Sequence, residues 1–70
     1  MKLNIVTKNP DKVFSILQEL YPYAHINHTE VCDDIHDFEL VKEGETVVFP
    51  LEGLKELSYY GIPDYNIRIY

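Results

Sequence analysis

The sequence predicts an α+β fold: a small two-layer domain with one mixed or antiparallel sheet, strands near 2–7, 38–42, 45–49 and 65–70, and helices near 10–21, 28–37 and 51–60 packed on it. Three observations predict it. Val13, Ile16, Leu17 and Leu20 recur at i, i+3, i+4 and i+7, the stripe of an amphipathic helix. Two apolar runs, 38–41 and 46–49, flank a glycine-bearing turn, and both ends of the chain are rich in β-forming residues.

Each element has its own local signal. Residues 2–7 alternate imperfectly and suit a strand covered on at least one face. Asn9 caps a helix whose first residue is Pro10, because proline tolerates that position and the Asn side chain accepts from the free amides of the first turn. Pro22 ends that helix near Tyr21. Residues 23–26 read as a short strand.

Residues 28–37 test the two periodicities against each other. As a strand they place His28, Glu30, Cys32, Asp34 and His36 on one side and Thr29, Val31, Asp33, Ile35 and Asp37 on the other, so neither face is apolar. As a helix they gather His28, Val31, Cys32, Ile35 and His36 on one arc, with Asn27 and Glu30 spaced as a capping box. The helix is the preferred reading, although three Asp toward its end oppose the dipole.

Between the runs 38–41 and 46–49, Gly44 supplies the positive φ of a tight hairpin. Pro50 closes the second strand. Leu51, Leu54, Leu57 and Tyr60 then share one face of a short helix that Gly61 terminates. Residues 65–70 alternate strictly and read as a last strand.

Seventy residues from Met1 read as one complete domain, 1–70, near the size at which a hydrophobic core alone can hold a fold. Such a chain buries only about 60% of its unfolded surface, which leaves little core to spend on a deep catalytic cleft. One cysteine forms no intramolecular disulfide, the opening apolar run is too short for a signal-peptide core, and nothing approaches a membrane span. The reading is cytoplasmic.

The net charge of −6 is uneven. Between residues 30 and 45, Glu30, Asp33, Asp34, Asp37, Glu39, Glu43 and Glu45 face Lys42 alone, which carries the whole imbalance. Such a field repels nucleic-acid phosphates and draws basic protein surfaces, or it serves only as a solvated face.

All three histidines and the cysteine fall together at His25, His28, Cys32 and His36. Imidazole and thiolate are zinc's preferred ligands, and four of them would close a tetrahedral site. On one helix, however, positions 28, 32 and 36 climb about 12 Å, while a zinc bond reaches only about 2 Å. The paired Cys-x-x-Cys knuckles of strong zinc sites are absent. No cofactor is therefore expected, with zinc at this cluster as the alternative.

Between the first strand and the first helix lies Thr7-Lys8-Asn9-Pro10-Asp11-Lys12, which resembles the Thr-x-Asn-x-x-Lys loop that opens the inosine triphosphate pyrophosphatase family. The resemblance implies that Thr7, Asn9 and Lys12 contact a nucleotide's phosphates at a helix N-terminus. It covers six residues, the family's catalytic acids and metal site have no counterpart here, and Asp11 sits where the anion would lie. This is the third-ranked reading. No nucleophile has a base beside it, since Asp33 and Asp34 flanking Cys32 disfavour the thiolate, so catalysis is not expected.

Six tyrosines with no tryptophan form the last bias, and Tyr59, Tyr60, Tyr65 and Tyr70 crowd the final twelve residues. Tyrosine is enriched at interface hot spots, although it also sits at core edges with its hydroxyl in water. The leading expectation is a protein-binding module acting by stoichiometric occupancy, an inhibitor or adaptor of the phage anti-defence kind. Its contact residues would be Glu30, Asp33, Asp34, Asp37, Glu43, Glu45, Tyr59, Tyr65 and Tyr70. Its partner would be a basic, nucleic-acid-handling protein whose phosphate contacts the carboxylates imitate. Direct nucleic-acid or membrane binding is not expected. The rival class is a metal- or small-ligand-binding domain.

Overall fold

In the computed structural model, which describes residues 2–50 and 52–70, five strands form one antiparallel sheet and two helices cover a single face of it. The order is β1 (Lys2–Val6), α1 (Pro10–Leu20), β2 (His25–Cys32), β3 (Ile35–Lys42), β4 (Glu45–Thr46), α2 (Glu52–Tyr59) and β5 (Ile67–Ile69). The strands lie side by side as β2-β3-β1-β5, with β4 paired to β3 in line with β1. The α+β class and the single sheet are as the sequence predicts, and of the mixed and antiparallel arrangements it allows, the antiparallel one is found.

The core follows from alternation. Leu3 and Ile5 of β1, Ile26 of β2, and Phe38 and Leu40 of β3 point to the helices and meet Val13, Ile16 and Leu17 of α1 and Leu57 of α2. Asn9 caps α1 as expected: its side chain accepts the Lys12 amide at 3.2 Å, with Pro10 at the first helical position. Helix α2 ends in a Schellman motif. Gly61 takes a φ of 87°, the Ile62 amide bonds the Leu57 carbonyl at 3.0 Å, and the Gly61 amide bonds Ser58 at 3.1 Å. The β3–β4 turn has positive φ at both central residues, 54° at Glu43 and 80° at Gly44, the type I′ geometry that matches strand twist.

One expected element is overturned. The helix near 28–37 does not form; these residues make most of the β2–β3 hairpin, which turns at Asp33-Asp34 and carries an irregularity between Glu30 and Cys32. The physical reason is His36. It is only 4% exposed, so His36, Phe38 and Leu40 form one inward period-2 stripe that a polar reading of histidine hides. The histidine and cysteine side chains predicted to share a helical arc are thereby redistributed over two strands.

Smaller differences lie at element ends. The strand expected over 45–49 is regular only at Glu45–Thr46, although the Val47 amide still bonds the Leu40 carbonyl at 2.8 Å. The strand expected over 65–70 begins at Ile67, because Asp64–Asn66 wind into a 3₁₀ turn. The helix expected over 51–60 is seen from Glu52 to Tyr59; Leu51, like Met1, lies outside the described residues.

Candidate functional site

The hairpin divides the acidic segment into separate places. Asp33 and Asp34 form one exposed turn, and Glu43 and Glu45 stand exposed around the other. The eight residues of β3 lie between them. At about 3.3 Å per residue that strand holds the two turns roughly 25 Å apart, beyond the ~8 Å over which salt screens exposed charges at physiological strength. The acids at the two turns therefore form two separate groups. Glu30 is exposed on β2 near the Asp33-Asp34 end.

Asp37 has a different environment. On the uncovered face of the sheet its carboxylate accepts the Asn4 amide at 2.8 Å and the Tyr70 hydroxyl at 2.6 Å. Partial burial pushes this carboxyl up, but the hydrogen bonds from Tyr70 and Asn4, helped by the charge of Lys2, outweigh it and hold the group below its ordinary value. The same bond, with some desolvation, raises the Tyr70 hydroxyl. Asp37 and Tyr70, chosen separately from the sequence, are thus joined.

The Asp33-Asp34 turn adjoins a surface depression. The Thr7 amide bonds the Asp34 carbonyl at 2.7 Å, fixing the turn against the end of β1. A cleft of about 340 Å³ opens there between Val6, Lys8, Asp34, Ile62, Pro63 and Asn66. A second, of about 210 Å³, shares Val6 and Asn66 and continues over Ile35, Tyr65 and Arg68. Tyr65, on the 3₁₀ turn, is 84% exposed. Tyr59 is also exposed, on α2, and of the six tyrosines only Tyr21 is buried. Val6, Ile35, Pro63 and Asn66 escape sequence reasoning because the groove is assembled from three separate segments, 4–8, 34–35 and 61–68, and no local pattern announces it.

The histidine and cysteine group does not converge. His28 Nε2 lies 2.9 Å from His36 Nδ1, and the His28 ring stacks on Phe38 at 4.8 Å. That contact requires one ring to donate and the other to accept, so at least one imidazole is neutral. Cys32 is exposed and pairs with Ile35 beyond the irregularity in β2, and His25 pairs with Val41 on the uncovered face. Among the described residues no three His, Cys, Asp or Glu side chains gather as a metal site requires.

At the first strand–helix turn, Thr7 Oγ1 accepts the Asn9 amide at 3.1 Å while Asn9 accepts the Lys12 amide. Both side-chain oxygens thus accept backbone amides and help to start α1. No described helix is long and apolar enough to cross a membrane.

Compared with known families, curated proteins and solved structures, the chain matches none.

Proposed function

We propose that the chain is a protein-binding module that acts by occupying a basic partner surface with its Asp33-Asp34 end. The observation that carries this reading is the juxtaposition of an exposed acidic turn, a groove whose lining includes Val6, Ile35 and Asn66, and the exposed ring of Tyr65. An aromatic anchor beside a depression of mixed polar and apolar lining, with charge at its rim, is a composition that interface hot spots use. A Lys or Arg stem would lie along the groove and direct its charged end to Asp33 and Asp34. Lys8 and Arg68, which also line the groove, would repel that charged end and leave the turn as its destination.

On this reading the carboxylates stand in for phosphates on a nucleic-acid-handling protein, and the module inhibits or adapts it in the manner of phage-type anti-defence inhibitors. The single free thiol, Cys32, suits a reducing cytoplasm. The test is capture of partners from the native host with wild-type and charge-reversed baits. Asp33→Lys with Asp34→Lys should release a specifically bound protein, and its affinity should fall steeply with salt. Glu43→Lys with Glu45→Lys, at the far turn, should retain it. Equal loss from both reversals would replace a local site by a diffuse charge effect, and retention by both would remove the electrostatic reading. Asp37 is left out because reversing it also breaks the bonds to Asn4 and Tyr70.

A further inference from the structure

The hydrogen-bond alternation of the sheet shows which backbone groups β2 leaves unpaired. Lys2 and Tyr70 exchange bonds of 2.7 and 3.0 Å, so Leu3 and Ile5 direct theirs to Phe38 and His36. The bonds from Thr7 to Asp34 and from Val47 to Leu40 extend the same set along that side of β3. Asp37, Glu39 and Val41 consequently bond to β2, at Thr29, Asn27 and His25. What remains on the outer edge of β2 is the N–H and C=O of Ile26, His28 and Glu30.

This edge is long and poorly defended. β2 runs eight residues, all exposed except Ile26, and pairs with β3 alone. Edge strands are normally blunted by proline, lysine or a short length, and β2 has no proline or lysine; its one irregularity comes near its end. The opposite edge strand, β5, has three residues.

We propose that β2 pairs antiparallel with β2 of a second copy of this chain, about a two-fold axis through His28. Centred there, His28 faces its own counterpart while Ile26 and Glu30 face each other reciprocally, so every outward donor meets an acceptor. Asn27 falls opposite Thr29, and the Glu30 carboxylate lies diagonal to the other copy's His28, within cross-strand reach. No like charges stand opposed along the strand. A register centred on Glu30 would oppose two carboxylates.

Charge complementarity continues past the strand ends. The same register carries each Asp33-Asp34 turn toward the other copy's Tyr23, over which Lys42 Nζ sits 5.6 Å from the ring centroid. Lys42 is the only lysine or arginine in the acidic segment, and it stands where the approaching acids arrive. The axis is perpendicular to the sheet, so both copies keep their helices on one face and the sheet runs through the dimer.

The test measures sedimentation over a range of concentrations together with residue-resolved amide hydrogen exchange. The expected result is a doubled mass at high concentration, with exchange at Ile26, His28 and Glu30 slowed about tenfold or more relative to dilute protein. Glu30→Pro removes an outward N–H without touching the β2–β3 ladder and should leave a folded monomer. If that variant does not fold, the wild-type amides still decide. A chain that stays monomeric at its highest soluble concentration overturns the proposal. So does a dimer in which those three amides exchange as fast as in the monomer, or their protection in a species holding one copy with a foreign extended peptide.

Discussion

The Tyr70 hydroxyl donates a 2.6 Å hydrogen bond to Asp37, tying the last residue of the chain to the central strand β3. Asn4 of β1 holds the other carboxylate oxygen at 2.8 Å. Three strands of the uncovered face are thereby cross-braced by one acid.

Stability should record this acid's titration. Asp37 has a folded value below its unfolded one, so its contribution is present above the ordinary aspartate value of about 3.9 and is lost as pH falls through the folded value. Tyr70, raised by the same bond, acts in the opposite limb, with stability present below about pH 10 and lost above it. Denaturation midpoints of wild type and Asp37→Asn, measured from pH 2 to 7, should differ most near neutrality and converge in acid. Parallel curves would mean that the brace contributes nothing.

Tyr21 should be improvable. Its hydroxyl is buried with no hydrogen-bond partner, and burial, followed by the nearby charges of Glu56 and Tyr23, pushes it up to about 12. Tyr21→Phe should therefore stabilise the protein by about 1 kcal/mol, the lower end of the cost of an unsatisfied buried group. It should also abolish a loss of stability between about pH 10 and 12, the window between the unfolded and folded hydroxyl. Urea denaturation at pH 7 and pH 11 checks both.

The residue facing that hydroxyl tolerates nothing larger. A Cβ on Gly53 would lie 2.5 Å from both Tyr21 Oη and Phe49 Cζ. Gly53→Ala should thus destabilise by about 1–3 kcal/mol through overpacking, although alanine gains about 1 kcal/mol in helix propensity. A raised denaturation midpoint would show that the aromatic pair yields freely.

The β3–β4 turn should respond oppositely at its two central residues. Glu43 pays for a φ of 54° that Asn adopts readily, so Glu43→Asn should stabilise by roughly 0.5–1 kcal/mol. Gly44→Val should cost about 1–3 kcal/mol, because a β-branched residue resists a φ of 80°. Thermal melts of the two variants should move in opposite directions.

Metal removal should change nothing. With only His28 and His36 in contact, and those bonded to each other, elemental analysis should find no stoichiometric zinc and chelator should leave the melting temperature in place. One zinc per chain, lost with unfolding, would make the metal reading first.

Features written in adjacent residues were legible from the sequence alone: the Asn9 cap and Pro10 start of α1, the Gly44 turn, the Gly61 stop after α2 and the apolar stripe of α1. Each is decided by atoms within a few residues, and here the tertiary packing agrees with the local signal. The tertiary structure alone decided the segment 28–37, whose helical capping box and half-apolar arc lost to pairing with β1 and to the core position of His36. A strand's stability resides in neighbours far along the chain, Ile5 opposite His36 and Val6 opposite Ile35, and local patterns carry no trace of them. The same pairing split the acidic segment between two turns, joined Asp37 to Tyr70 and built the groove from three segments. The inventory of charged and aromatic groups was fixed by composition, and their grouping into sites by the sheet's register.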